Sequence, residues 1–133
     1  MAVDDVVYGR VDADNIGDKL ELLLIRGKIE EAEKLQSNFQ YTLKWLVSTL
    51  STEEDFEILF VGCDDILFRG KATNYNKCRL EQTRKKFEEL CGCTLSCGVG
   101  YDLATALQNL RIAKLEGKNK IIETTGESVS EIT

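Results

Sequence analysis

Apolar residues recur along the chain with two periods, and each change of period predicts a new element. Residues 3–12 contain Val6-Val7-Tyr8 and Val11, which predicts a strand that is buried enough to lose strict alternation. Apolar positions at steps of three and four then predict a helix over residues 16–26 and a longer one over residues 29–50. Asn15 and Asp18 stand three residues apart where the first helix begins, so we expect them to cap it.

The second half of the chain alternates between short strands and helices. After a polar break, residues 56–61 and 66–71 predict two strands joined as a hairpin by Gly62-Cys63-Asp64-Asp65. The remaining patterns predict a helix, a strand, a helix and a last short strand, over residues 76–90, 94–101, 103–116 and 120–124. The predicted element order is therefore β-α-α-β-β-α-β-α-β.

The middle of this order is the β-α-β-β-α-β arrangement of a ferredoxin-like fold, which predicts an α+β protein with a mainly antiparallel sheet. In that fold the first two strands run parallel with the third between them. The end of the first strand and the hairpin turn therefore lie at one edge of the sheet. With 133 residues and no repeat or linker, we expect one domain over residues 1–124 and a loose polar tail over residues 125–133.

Composition and charge exclude several classes of function. The formal charge of −6 argues against a nucleic-acid surface, because affinity for phosphate backbones comes from Lys and Arg. The sequence has no histidine, which removes the commonest general base and any Ser-His or Cys-His pair. No apolar run reaches the ~20 residues of a membrane span, and no signal peptide is recognisable at the start. We therefore expect a cytoplasmic protein without a membrane partner or a direct nucleic-acid partner.

Five cysteines are an odd number in a chain without a secretion signal, which favours reduced thiols. Four of them could form a zinc site, but they lack a C-x-x-C pair, and Cys97 lies in a predicted strand. We favour core packing for the set, which comprises Cys63, Cys78, Cys91, Cys93 and Cys97.

Two short acidic motifs each follow an apolar strand-like run. Asp12-Ala13-Asp14-Asn15 ends the first strand, and Asp64-Asp65 lies in the hairpin. The predicted topology brings Asp12 beside the hairpin acids, where carboxylates raise one another's pKa values unless a cation lies among them. Mg²⁺ is usually held by one or two carboxylates and keeps positions for waters and substrate phosphates. The pattern therefore predicts a divalent-metal site and chemistry on a nucleoside triphosphate.

Each motif alone also has a purely structural interpretation. Asp14 or Asn15 is typical of a helix cap, and Asp64-Asp65 is typical of a hairpin turn. Lys114 and Lys118 flank a predicted helix C-terminus, where cations offset the helix macrodipole. Only the combination of these motifs favours the functional interpretation.

Four motifs in this order and spacing resemble those of the palm domains of the GGDEF and class III nucleotidyl cyclase superfamily. They are D-x-D-N-x-G from Asp12 to Gly17, the G-x-D-D hairpin, Ser96-Cys97-Gly98-Val99-Gly100, and the A-K-L-E-G-K-N run over residues 113–119. The acidic motifs are more similar to those of CRISPR polymerase palms than to those of diguanylate cyclases. A lone palm of this size resembles the minimal CRISPR polymerases, mCpol, and the resemblance covers nearly the whole chain.

The resemblance implies a role for each matching residue. Asp12 and Asp65 would be the main metal ligands, with Asp64 as a further acidic participant and the backbone carbonyl of Ala13 as a further oxygen. A second group would contact the triphosphate, through helix N–H groups or ammonium groups. It comprises Asn15, Ile16, Gly17, Lys114 and Lys118.

The activity implied by the resemblance is a metal-dependent nucleotidyltransferase that makes a cyclic dinucleotide or short cyclic oligonucleotide, of the cyclic di-AMP type, with release of pyrophosphate. ATP is the expected substrate. Leu20 stands near the place where diguanylate cyclases carry a guanine-reading asparagine, which argues against the reading of guanine. Two Mg²⁺ or Mn²⁺ ions are expected per active site. The product would act on a cyclic-nucleotide-responsive effector in bacterial anti-phage defence.

Assembly and three alternative functions complete the expectations. Because one palm holds one triphosphate, making two bonds between two nucleotides suggests two facing palms, and we expect a homodimer. A diguanylate-cyclase-like enzyme using GTP and a catalytically inactive nucleotide sensor both remain open. An RNA-recognition-like module shares the topology but stacks bases on sheet aromatics, of which the central strands offer only Tyr8 and Tyr101.

Overall fold

The computed structural model describes residues 5–124, and its elements follow the predicted order. The strands are β1 (Val6–Ala13), β2 (Glu57–Val61), β3 (Asp65–Lys71), β4 (Leu95–Gly100) and β5 (Ile121–Thr124). The helices are α1 (Ile16–Ile25), α2 (Ile29–Ser48), α3 (Lys77–Cys91) and α4 (Leu103–Leu115). The predicted tail at 125–133 and the first two residues of the predicted first strand lie outside the described residues.

Two short turns of helix supplement these elements. A π-helical turn, Thr49–Glu53, extends α2 into the segment that the sequence predicts as a polar break, and a 3₁₀ turn, Ala72–Asn74, follows β3. Among the described residues, no helix is both long enough and apolar enough to cross a membrane.

The five-stranded sheet has the order β2-β3-β1-β4-β5. The β4 and β5 strands are parallel, and the other neighbouring pairs are antiparallel. Because β3 is antiparallel to both β1 and β2, those two strands run parallel with β3 between them. The predicted α+β, mainly antiparallel fold is confirmed, and its register pairs Asp12 with Asp65.

One face of the sheet carries the main hydrophobic core. Val7 and Val11 of β1 point into this core and pack with apolar residues of α2 and α3. Phe39 and Phe87 join the two helices, with their ring centroids 6.1 Å apart in an edge-to-face arrangement. Alternation along β1 sends Arg10 to the opposite face, because successive strand residues point to opposite sides.

The cysteines divide between core and surface. Cys91, Cys93 and Cys97 are buried in the core, as the packing interpretation predicts. Cys63 and Cys78 are exposed, so that interpretation is wrong for these two residues. All five are free thiols. Over residues 5–124, no group of three or more His, Cys, Asp or Glu residues is arranged to hold a metal ion.

The opposite face of the sheet is covered by α4 on one side only. This helix packs on β4, β5 and β1. Its close approach requires Gly98 and Gly100, because a β-carbon at either position would overlap the backbone of α4 at Ala106. The glycines of β4 therefore serve helix packing. The β2 and β3 half of this face extends beyond α4, next to the acidic motifs.

Candidate active site

The acidic residues lie together where β1 ends beside the turn between β2 and β3. Asp12 pairs with Asp65 in the β1–β3 register, and the N–H of Ala13 donates a 2.9 Å hydrogen bond to the backbone oxygen of Asp64. The structure thus brings Asp12, Asp64 and Asp65 to one edge of the sheet, where the topology predicts them.

The first glycine of the hairpin motif is explained by the Asp65 side chain. A β-carbon at position 62 would overlap Oδ1 of Asp65, so this carboxylate occupies the space above Gly62. The backbone N–H of Gly62 also donates a 2.9 Å hydrogen bond to the carbonyl oxygen of Asp65. The G-x-D-D spacing therefore has a steric origin: the glycine leaves room for the last aspartate.

The electrostatic environment of Asp12 opposes its ionisation. Burial raises the pKa of this carboxyl above its ordinary value of 3.8, and the neighbouring Asp64 and Asp65 raise it further. Lys114 lowers the pKa but does not cancel these effects. The mutual repulsion that the sequence predicts for these carboxylates therefore acts on Asp12, and the fold destabilises the ionised form of this residue.

Asp14 lies two residues further on and has the opposite environment. Its side chain is 1% exposed and accepts four hydrogen bonds. The donors are the hydroxyls of Thr94 (2.7 Å) and Ser96 (2.8 Å), the ammonium of Lys114 (2.6 Å) and the backbone N–H of Asn119 (3.1 Å). Burial opposes ionisation of Asp14, but the bonds from Lys114, Thr94 and Ser96 outweigh it and lower the pKa of this carboxyl.

Asp14 therefore acts as a positioning residue for Lys114. The ammonium of Lys114, held at 2.6 Å by Asp14, also lies 3.4 Å from Oδ2 of Asp12 and 3.4 Å from the backbone oxygen of Ala13. The helix-cap interpretation of Asp14 is not supported, because its carboxylate is used by partners on β4, on α4 and beyond α4. Among these partners, Thr94 was not singled out from the sequence, whereas Ser96 and Asn119 stand in the quoted motifs but were given no role there.

The turn after α4 directs a second lysine to the start of α1. Lys118 and Asn119 both have positive φ, 69° and 54°, and this left-handed turn follows Gly117 at φ 109°. The ammonium of Lys118 donates a 2.6 Å hydrogen bond to Oδ1 of Asn15. Lys114 and Lys118 thus lie on the acidic edge of the sheet and at the α1 N-terminus, respectively.

The predicted capping of α1 by Asn15 and Asp18 is wrong. Asn15 adopts a left-handed conformation, φ 62° and ψ 15°, and its side chain makes no capping hydrogen bond because its oxygen faces Lys118. No side chain therefore caps the first turn, where Ile16 and Gly17 present backbone N–H groups at the positive end of the helix dipole. Such a terminus favours anions.

Arg10 is a further residue that the sequence did not single out. Its guanidinium donates a hydrogen bond to Oδ2 of Asp65 and forms an ion pair with it. The period of two along β1 could have found it, since Arg10 and Asp12 are two residues apart and share a face. Each carboxylate of the Asp12 and Asp65 pair is thus accompanied by a cation from this chain, Lys114 or Arg10.

The geometry agrees with a comparison against protein-family models. A model of the minimal CRISPR polymerase domain, mCpol, matches residues 8–124, which spans the sheet from β1 to β5 and includes all the residues of this site. The chain belongs to the mCpol family. Among curated proteins, no sequence matches this mCpol chain.

Solved structures similar to this mCpol domain include Csm1–Csm4 cassettes and GGDEF-type domains. A Csm1–Csm4 cassette in complex with one ATP matches at a TM-score of 0.62 and 20% identity, over 88% of this chain and 20% of that chain. The same kind of cassette in complex with cA4 matches at a TM-score of 0.61 and 19% identity, over 87% of this chain and 20% of that chain. The active GGEEF domain of a diguanylate cyclase from Vibrio cholerae matches at a TM-score of 0.54 and 17% identity, over 89% of this chain and 81% of that chain.

At these identities the structural matches establish the fold, which is that of palm and GGDEF domains. The mCpol chain spans about 20% of the length of the Csm1–Csm4 chains that it matches. The site residues of the chain are therefore assigned from its own geometry.

Proposed function

We propose that this mCpol chain is a metal-dependent nucleotidyltransferase that joins nucleoside triphosphates, with ATP as the expected substrate, into a cyclic dinucleotide or short cyclic oligonucleotide. The observation that carries the proposal is the grouping of Asp12, Asp65 and the Ala13 carbonyl around cations at one sheet edge. In each step a ribose hydroxyl would lose its proton to water, and its oxygen would bond to the α-phosphorus of a triphosphate. The bond from that phosphorus to the bridging oxygen would break, and pyrophosphate would leave with the electron pair.

The donor set suits Mg²⁺ or Mn²⁺. Oδ2 of Asp12 and the oxygen of Ala13 both lie 3.4 Å from the Lys114 ammonium, so two hard oxygen ligands already face one cation. Carboxylate and carbonyl oxygens are the ligands that Mg²⁺ prefers. Asp12, Asp65 and Ala13 would hold the ions, with Asp64 beside them. Two bound ions would lower the pKa of the attacking hydroxyl and stabilise charge on the departing pyrophosphate.

The chain supplies its own positive charge for the phosphates. Lys114 lies 20% exposed between Asp12 and Asp14, and Lys118 lies beside the α1 N-terminus. In this proposal both ammonium groups neutralise triphosphate oxygens, while the N–H groups of Ile16 and Gly17 donate to them. The Arg10 guanidinium would release part of its contact with Asp65 when that carboxylate binds a metal ion.

The cellular role and assembly follow from the same proposal. Two facing palms would supply two triphosphates for ring closure, so the active species would be a homodimer. The product would be a signal for a cyclic-nucleotide-responsive effector in bacterial anti-phage defence, as the mCpol family resemblance implies.

Mass spectrometry of reaction products tests the proposal. The wild type is incubated with all four nucleoside triphosphates and Mg²⁺ or Mn²⁺, the reaction is treated with phosphatase, and Asp12→Ala serves as the inactive control. We expect pyrophosphate release and a phosphatase-resistant adenine product, because a ring has no terminal phosphate. A guanine-only product would favour the GTP alternative. Linear products alone, or no product, would overturn the cyclase proposal, and tight binding without turnover would favour a sensor.

A further inference from the structure

A cavity of about 390 Å³ adjoins the acidic site on the half of the sheet that α4 leaves uncovered. It lies between the β2–β3 hairpin and the first half of α4. The lining residues that matter here are Arg10, Phe60, Asp65, Leu67, Leu103 and Leu107. Its volume falls in the range of small-molecule sites, which are mostly apolar with a few polar groups.

The apolar walls of this cavity are unusually exposed. Phe60 is 71% exposed, Leu103 is 42% exposed and Leu107 is 39% exposed, whereas Leu67 at the base is buried. A register shift between Ile58 and Phe60 places Phe60 opposite Leu67. Bulges of this kind re-aim side chains next to active sites. The shift therefore turns an aromatic ring towards the cavity.

The polar end of the cavity belongs to the candidate active site. Asp65 lines the cavity and is also a candidate metal ligand, and Arg10, its ion-pair partner, lines the cavity as well. A ligand that placed phosphates near Asp12, Asp65 and Lys114 would therefore have its non-phosphate part beside an apolar cavity. A flat ring system is the part of a nucleotide that gains from apolar and aromatic walls.

We propose that this cavity binds the purine ring of the nucleotide, with Phe60 and Leu107 as its walls and the Arg10 guanidinium along one edge. The inference rests on the proposed function, since it deepens the assignment of the same site. A purine offers a larger flat surface to these walls than a pyrimidine does. Arginine also suits this place, because its planar guanidinium stacks on rings and hydrogen-bonds to purine edges.

Isothermal titration with two ligands separates base binding from phosphate binding. The probes are α,β-methylene-ATP, which cannot release pyrophosphate, and inorganic tripolyphosphate, each with Mg²⁺. Leu107→Trp fills the cavity, and Ile112→Trp is the matched control, because both residues are 39% exposed on α4 and Ile112 does not line the cavity. Thermal melts and light scattering of each variant report folding and oligomeric state.

We expect Leu107→Trp to raise the Kd of α,β-methylene-ATP at least tenfold and to change the Kd of tripolyphosphate less than twofold. Ile112→Trp should leave both values unchanged. Phe60→Ala, which truncates an exposed side chain and so spares the fold, should weaken only the ATP analogue, by about threefold or more, since a lost stacking contact is felt only by a ligand with a base.

Three results would overturn the inference. One is an unchanged Kd for the ATP analogue in both Leu107→Trp and Phe60→Ala. Another is equal weakening of both ligands, which would mean a change in the phosphate site. A third is an altered oligomeric state with unchanged Kd values, which would assign this face to a second copy of the chain. If the wild type binds neither probe, the proposed function fails too, whereas binding by the wild type with unaffected variants defeats this inference alone.

Discussion

Asp12 and Asp14 stand two residues apart where β1 ends and share Lys114 as a cation, but they differ in exposure, in hydrogen bonding and in the direction of their pKa shifts. Asp14 is buried, accepts four hydrogen bonds and has a lowered pKa. Asp12 has a side chain that is 29% exposed, has Lys114 as its nearest cation at 3.4 Å, and has a raised pKa. The fold therefore stabilises the ionised form of Asp14 and destabilises the ionised form of Asp12.

This difference separates structure from function within one motif. A buried carboxylate with all its partners stabilises the fold and fixes its neighbours. A carboxylate that the fold destabilises persists where it has another task, such as binding a cation or a substrate. We therefore expect Asp14 to contribute mainly to stability, and Asp12 with Asp65 to contribute mainly to activity.

The largest expected effect is the loss of turnover when the carboxylate of Asp12 or of Asp65 is removed. Asp12→Ala and Asp65→Ala should each reduce product formation roughly a thousandfold or more, equivalent to about 4 kcal/mol of transition-state stabilisation. Quantitative mass spectrometry of the product measures this. Glu57→Ala, which removes an exposed acid on β2, is the control and should keep wild-type activity. Wild-type turnover in Asp65→Ala would disprove the assignment of the hairpin.

The next effect is on stability and should appear at the other carboxylate. Asp14→Asn removes the charge that binds Lys114 and two hydroxyls inside the fold, so it should lower the free energy of unfolding by about 3 kcal/mol. Urea unfolding at pH 7 measures this loss. Turnover should fall less than in Asp12→Asn. A variant as stable as the wild type would show that the four hydrogen bonds of Asp14 contribute little.

A smaller effect of opposite sign is expected at Asp12. Asp12→Asn removes a partly buried charge and its repulsion from Asp64 and Asp65, so without metal it should raise the free energy of unfolding by about 0.5 to 1 kcal/mol, the scale of exposed charge interactions. Thermal melts in EDTA measure the gain, and the same variant should have lost its turnover. Destabilisation by Asp12→Asn would mean that the attraction of Lys114 outweighs both burial and the neighbouring acids.

Lowering the pH should reduce the difference in the free energy of unfolding between the wild type and each variant, Asp12→Asn and Asp14→Asn. At pH 7 the first variant is expected to be more stable than the wild type and the second less stable. Asp12 has a pKa raised above 3.8, chiefly by burial, so its ionisation costs stability above that pKa and the cost disappears as the pH falls to 3.8. Asp14 has a pKa below 3.8, because its hydrogen bonds outweigh burial, so its stabilisation is lost only as the pH falls below 3.8. In urea unfolding from pH 7 to pH 3, the stability difference between Asp12→Asn and the wild type should therefore disappear at a higher pH than that of Asp14→Asn. If both stability differences disappeared over the same pH range, this account would be contradicted.

Much of this fold could be predicted from the sequence, because the elements depend on local periodicity and topology rules. The parallel placement of β1 and β2 followed from the element order, and it was enough to bring Asp12 beside Asp65. The steric role of Gly62 and the partners of Asp14 could not be predicted in the same way. They depend on side chains that are distant in sequence, such as Thr94 and Lys114, and periodicity carries no information about such contacts.

The start of α1 shows the same limit. A residue such as Asn15 three positions before an acid is typical of a capping pair. The left-handed conformation at Asn15 and the contact with Lys118, which comes from a turn 103 residues away, direct its side chain elsewhere. Local propensity was overridden by a long-range hydrogen bond at the candidate site, where such conflicts are expected.

Ligand-induced stabilisation tests the central claim, that Asp12 and Asp65 form the site for a metal ion and a triphosphate, most directly. Thermal melts of the wild type, Asp12→Asn and Glu57→Gln are compared in EDTA and in Mg²⁺ with α,β-methylene-ATP. At a hundredfold excess over Kd the ligand should stabilise the wild type and Glu57→Gln by about 2.7 kcal/mol, and Asp12→Asn much less. Equal ligand-induced shifts in all three proteins would contradict the claim, because the Asp12 carboxylate would then have no part in binding.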